Sequence, residues 1–270
     1  STLSDVEAAT IGGYTEGTIY SANGASRGMA IGQGSVANGD AVAYGVNAKA
    51  RNRQGVSIGY GAISGVEATG KNDAGVSSES SVAIGAEAKA EFIGATAIGP
   101  AATAGANWST AIGRNTKALG SNSIAIGDDA KTDEQYGISL GKNAKALGPQ
   151  GISIGYDSKS SNNNSTAIGN TANATGENSS AIGASSTASG TYAVAMGLDS
   201  KAQGSQSLAL GVDAKATNER STATGTSSDA SGSWATATGT AAVASGTAST
   251  AIGESTKASG SHTVAVGTHS

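Results

Sequence analysis

From Gly85 to Gly267 a glycine returns every fourteen residues, through Gly99, Gly113, Gly127, Gly141, Gly155 and onward without a slip. The same glycine occurs upstream at Gly32, Gly45 and Gly59, with one step of 13 and a gap of 26 before Gly85, which makes seventeen copies of one unit. A period held this strictly means that each unit packs on its sequence neighbours rather than into a common globule, so a repeat architecture comes first.

Positions are counted here from that glycine as zero. Position −1 carries Ile84, Ile98, Ile112, Ile126, Leu140, Ile154, Ile168, Ile182, Met196 and Leu210, and position −3 carries Ile124, Ile138, Ile152, Val194 and Leu208. Between them stands Ala or Ser, and alternation with period two in a segment rich in β-branched residues predicts a strand. A second glycine falls half a period away, at Gly120, Gly148, Gly176, Gly190 and Gly204, with Asn162 or Asn218 standing in elsewhere. Gly and Asn both tolerate positive φ, so two turns seven residues apart are expected, joined by two short strands. The predicted fold is all-β, a parallel β-roll solenoid of fourteen-residue coils. Three-sided hexapeptide solenoids need roughly eighteen residues per coil and leucine-rich repeats twenty or more, and neither spacing fits.

Composition narrows the function. Forty-one glycines, one Phe and 37% hydrophobic residues cannot fill an ordinary 270-residue core, while the period argues against disorder. A net charge of −4 carries no nucleic-acid signature, and no stretch reaches the roughly 18 apolar residues of a membrane helix. With no cysteine, thiol catalysis, disulfides and zinc–thiolate sites are all excluded. The two histidines, His262 and His269, have no carboxylate at ligand spacing and read as exposed residues near the chain end. No cofactor is implied, and Gly-Lys followed by Ser or Thr, the mark of a phosphate loop, never occurs.

Pleat then suggests faces. Positions −1 and −3 share one side of the first strand, and +3 and +5 share one side of the second, as in Ala130 with Thr132 and Ala144 with Ala146. The expectation is that these four positions form the interior, one large row against one small row. Outward on the second strand would lie charged pairs at +2 and +4, such as Asp129 with Lys131 and Asp157 with Lys159. Outward on the first strand would lie an uncharged face of Ala and Ser, including Ala111, Ala125, Ala167, Ala181, Ala195 and Ala209. Small side chains permit close sheet packing, so those alanines are the expected interface with further copies of the chain.

The recurring Ser-x-Ala-Ile-Gly, seen at Ser123–Gly127 and Ser165–Gly169, resembles the YadA-like head of the trimeric autotransporter adhesins over about residues 28–270. That resemblance implies a left-handed β-roll in each chain, a homotrimer about a common axis, and a place on the surface of a Gram-negative bacterium. There the head would stand away from the outer membrane on a stalk, touching a membrane only through a C-terminal anchor outside this sequence. Residues 1–27 match the motif poorly and are expected to form a cap or irregular lead-in. Residues 63–80 break the period and are expected to leave the roll as a turn-rich excursion. The last repeat closes at Gly267, three residues before the sequence stops, which suggests a fragment of a longer protein.

Two rows are candidates for ligand contact. Position −5 varies where the rest repeats, and it admits Trp108, Tyr136, Tyr192 and Trp234, an aromatic edge suited to repeated weak contacts. Position +4 carries Lys117, Lys131, Lys145 and Lys159, a cationic strip for acidic polymers or simply a solvated face. The implied function is a non-enzymatic adhesin head that binds extracellular matrix proteins, host cells or solid surfaces, with no nucleic-acid partner. The alternative is an ice- or crystal-binding solenoid, motivated by Thr222-Ala223-Thr224 and Thr236-Ala237-Thr238 on adjacent rungs.

Overall fold

The computed structural model describes residues 17–20, 28–38, 40–52, 54–65 and 80–270. It comprises two units, Ser1–Tyr136 and Gly137–Ser270. Each is a parallel β-solenoid, and among the described residues there is no helix.

In the first unit, three-residue strands such as Val82–Ile84, Thr96–Ile98, Thr110–Ile112 and Ile124–Ile126 stack in parallel. Their register steps by one repeat, Ala97 opposite Ala83 and Ala111. Two-residue strands, among them Lys89–Ala90, Thr103–Ala104 and Lys117–Ala118, build the opposing sheet. The second unit repeats this from Ile138–Leu140 to Val264–Val266 and from Lys145–Ala146 to Lys257–Ala258.

Most of the expected lead-in, residues 1–27, lies outside the described residues, but Gly17–Tyr20 within it pairs in parallel with Ser35–Asn38. The excursion is shorter than the period implies. Ile63–Ser64 forms a strand paired with both Lys49–Ala50 and Lys89–Ala90, and the Gly65 amide donates to the Ala90 carbonyl at 2.9 Å. Val56–Ile58 then pairs directly with Val82–Ile84, so the stack closes across the insertion. Residues 66–79 lie outside the described residues.

The faces of the first strand are the reverse of the expectation. Positions −2 and −4 are inside: Ala111, Ala125, Ala167, Ala181, Ala195 and Ala209, expected at an interface between chains, have no exposed surface. Every buried hydrophobic residue described is an alanine, and Ser, Thr and Gly fill the remaining interior positions of the strands. The expectation for the second strand holds, since Ala88, Ala90, Ala130 and Thr132 at +3 and +5 are buried.

The reason is width. The Ser139 hydroxyl at −2 reaches across the coil to accept a hydrogen bond of 2.9 Å from the Ala146 amide at +5. The Ser57 hydroxyl likewise donates to that of Ser64 at 2.9 Å, and Ser153 and Ser158 meet at 2.8 Å. Turns of four residues hold the sheets one small side chain apart, closer than the roughly 10 Å of sheets packed through large residues. No Ile fits there, so pleat alternation sends −1 and −3 outward, half-buried along the sheet.

The turns explain both glycine rows, again with one correction. At position zero Gly113 has φ +131°, and an added Cβ would lie 2.6 Å from the Gly127 carbonyl oxygen of the next rung. The half-period glycines do not sit at positive φ. Gly190 is needed because an added Cβ would fall 1.9 Å from the Gly204 oxygen. Positive φ is found instead two residues into each turn, at +2 and −5, in non-glycine residues such as Asp129 (57°) and Asn122 (55°). Each turn closes from its fourth residue to its first, as Ala130 N to Gly127 O and Ser123 N to Gly120 O, both 3.3 Å. Positive φ at the third residue marks type II.

That turn type flips the central peptide along the stack. The Asp129 amide donates to Arg114 O at 3.0 Å and the Asn122 amide to Asn107 O at 3.0 Å, and the same ladder recurs within each unit. Left-handed φ costs a non-glycine residue about 1 kcal/mol, and a satisfied peptide bond returns about the same. Serines at the fourth turn position add a second bond to the same carbonyl, as Ser179 Oγ to Gly176 O at 2.6 Å and Ser186 Oγ to Gly183 O at 2.8 Å.

Candidate functional site

Four outward surfaces result: the face of the first strands, the face of the second strands, and the two turn edges. The first-strand face carries Ile84, Ile98, Ile112 and Ile126 in the first unit and Ile154, Ile168, Ile182, Met196 and Leu210 in the second. It is uncharged along both units. In the second unit it turns polar where Thr222 and Thr224 lie in register with Thr236 and Thr238, and Ile252 then resumes the apolar row.

The second-strand face carries the lysines. Lys117 is in register with Lys131 in the first unit, and Lys145 with Lys159 in the second. Lys117, Lys145 and Lys159 are exposed, and Lys131 is half-buried with its ammonium 2.8 Å from Asp133. The acids at +2 belong to the turns rather than to this strand. Asp129 accepts a hydrogen bond from Asn115 and lies 3.6 Å from the Arg114 guanidinium.

The edge formed by −5 brings the candidate aromatic residues to one side of each unit. Trp108 and Tyr136 belong to the first, Tyr192 and Trp234 to the second, and each is between 53% and 59% exposed. Sequence variation at −5 correctly signals exposure, but its backbone role as the left-handed turn residue was not legible, because Trp, Tyr and Gln are unusual there. These side chains lean on the preceding rung: a Cβ on Gly94 would lie 2.3 Å from the Trp108 ring. In the second unit they form a chain. Arg220 Nε donates to Gln206 Oε1 at 2.8 Å, and the guanidinium stands 4.2 Å from the centre of the Trp234 ring. Asn164 donates to Asn178 on the same edge at 3.1 Å.

The edge formed by +1 and +2 is more polar. Arg114 binds Asp128 at 2.7 Å, and this hydrogen bond, with the charges of Asp128 and Asp129, raises the guanidinium pKa further. Tyr156 is shifted upward by its hydrogen bond to Asp157, then by that residue's charge. His262 and His269 are exposed, and no group of three or more metal-ligating side chains occurs among the described residues.

No curated protein matches this sequence. The YadA head domain repeat matches it at residues 77–102, 93–116, 104–130, 133–158, 146–172, 174–200, 202–228 and 244–270. These segments carry the alternating strand, the invariant turn glycine and the small-residue interior just described. The chain therefore belongs to the YadA head family, the adhesin-type heads of trimeric autotransporters.

Proposed function

We propose that this chain is the head of a homotrimeric adhesin held at the outer membrane of a Gram-negative bacterium, attaching multivalently to extracellular matrix proteins, host cells or solid surfaces. The observation that carries the reading is the uncharged apolar face at −1 and −3, left outside by coils whose interiors are already filled with alanine. A face of half-covered Ile and Leu extending over successive rungs is a contact surface. Three copies placed side by side would cover it, at about 1 kcal/mol for each large side chain buried. The interface so proposed lies one residue along from the alanines first expected: Ile112, Ile126, Ile168, Ile182, Met196 and Leu210.

Sedimentation equilibrium of the chain and of Ile154→Glu and Ile168→Glu tests the assembly. A trimer that dissociates in both variants, and persists in Lys159→Glu, is the expected result. A monomeric parent chain overturns it. Attachment to surfaces coated with matrix protein should fall with dissociation, because avidity multiplies weak contacts.

The contact residues proposed are the exposed rows, Trp108, Tyr136, Tyr192 and Trp234 on one edge and Lys117, Lys131, Lys145 and Lys159 on the second-strand face. Replacing the four aromatics together by Ser, with trimer and melting midpoint retained, should reduce attachment. If the lysines contribute, attachment to acidic polymers weakens as salt approaches physiological concentration. The ice- or crystal-binding reading rests on the four in-register threonines, which do face outward. The row reverts to Ile252 within two rungs, and ice-recrystallisation inhibition at micromolar chain would be needed to prefer it.

A further inference from the structure

The −5 edge of the second unit contains one place where an aromatic ring is clamped on one face and open on the other. The Arg220 guanidinium covers the face of Trp234 toward the preceding rung, 4.2 Å from its centre. A guanidinium stacked over the ring requires the ring plane to lie across the stack. With one face so covered, Trp234 is still 53% exposed, which leaves its other face open toward the next rung.

That next rung carries Ala248, half-buried and the smallest side chain at −5 in this unit. The rung beyond carries His262, exposed, with its Nδ1 held 2.8 Å from the Ser261 hydroxyl. Backbone bonds fix the spacing: the Ala248 amide binds Ser233 O and the His262 amide binds Thr247 O, both at 2.8 Å. Trp234 and His262 therefore stand two rungs apart, about 9.6 Å at 4.8 Å per rung, above an alanine floor. Thr247, exposed, is the turn residue that precedes that floor.

We infer that Trp234, Ala248 and His262 form a slot that binds a pyranose ring of a neutral glycan by stacking. Two van der Waals contacts of 3.5–4.0 Å occupy about 7–8 Å of the gap. The remaining 2 Å or so suits the thickness of a puckered chair better than a flat aromatic ring. The apolar C–H face of a sugar matches the open indole face, and the hydroxyls of Thr247 and Ser261 and the imidazole supply hydrogen-bonding groups at the rim. Neutrality is indicated because Arg220, the nearby cation, is already engaged by Gln206, Trp234 and Glu219. The inference uses the adhesin reading only for its biological purpose, since the slot is complete within one chain.

The test uses the full chain with Trp108→Phe, which leaves Trp234 as the sole tryptophan. Its emission is followed during titration with lactose, maltose and N,N′-diacetylchitobiose. A saturable change with at least one disaccharide, with Kd on the order of 1 mM, is expected for one stacked ring. Ala248→Gln fills the slot with a residue that the same edge already accommodates at Gln206 with φ 58°, so the fold is retained. It should weaken binding about tenfold or more. Circular dichroism verifies folding of each variant. No emission change with any of the three sugars, or unchanged binding in Ala248→Gln, overturns the inference. Attachment measured in parallel separates the two readings, because adhesion that persists without sugar binding removes the slot and leaves the adhesin.

Discussion

The Ser139 side chain bridges the two sheets of its coil, its hydroxyl 2.9 Å from the amide of Ala146. One serine thus measures the interior. Enlarging a side chain there should be far worse than shortening it: Ser139→Leu or Ala167→Ile forces the sheets apart and should cost about 3 kcal/mol or more. Ser139→Ala should cost only about 1 kcal/mol. Chemical denaturation of the three variants checks the order, and Ala167→Ile as stable as the parent chain would refute the small-residue interior.

Glycine and left-handed turn positions should respond oppositely to exchange. Gly169 has φ +137°, and its added Cβ would approach the Gly183 oxygen to 2.4 Å, so Gly169→Ala should lower stability by about 2–4 kcal/mol. Ala241 occupies the left-handed turn position at φ 54°. Ala241→Asn should be neutral or stabilising by up to about 0.5–1 kcal/mol, since Asn enters that region more readily. Thermal melts of the two variants should move in different directions.

Arg220 should order Trp234. With Arg220→Ala the ring loses the cation on its face, a contact worth about 0.5–1 kcal/mol at an exposed site. In the Trp108→Phe background, acrylamide quenching of Trp234 should then rise while the melting midpoint stays nearly constant. A quenching constant unchanged by the substitution would show that the guanidinium shields nothing.

Tyr156 should ionise later than an ordinary tyrosine. Its hydrogen bond to Asp157, followed by the carboxylate charge, raises its pKa above the usual 10.0. The protonated phenol is the form favoured in the folded chain. The associated stability is therefore complete below pH 10 and is lost as pH rises through the raised value. Ultraviolet titration of the parent and Asp157→Asn should show one late phenol in the parent that moves to lower pH in the variant.

Much of this architecture was legible in the sequence. The spacing of Gly85 to Gly267 gave the coil length, the alternation at Ile124-Ala125-Ile126 gave the strand, and Lys117 and Lys159 are exposed as the pattern implied. The direction of the first strand was not legible, because alternation fixes which residues share a face and leaves open which face is inside. The usual preference for large apolar interiors gave the wrong choice for Ile168 and Ala167. What decides is turn length, which draws the sheets too close for Ile. The backbone state of Trp108 and Trp234 was hidden for a related reason: the hydrogen bonds that hold the left-handed turn come from the rung before, not from the side chain. The boundary at Gly65 was missed because Ile63–Ser64 lacks the Lys-Ala of its neighbours while keeping their register.

At −5 and +2 the conformation is specified by main-chain bonds to the adjacent rung, and the side chain takes no part in those bonds. Asn, Gln, Tyr, Trp, Arg, Ala and His all occupy the same turn geometry on successive rungs. Surface identity is thereby uncoupled from foldability. A lineage carrying such a head can rewrite its exposed edge one rung at a time while the alanine interior and glycine turns stay untouched.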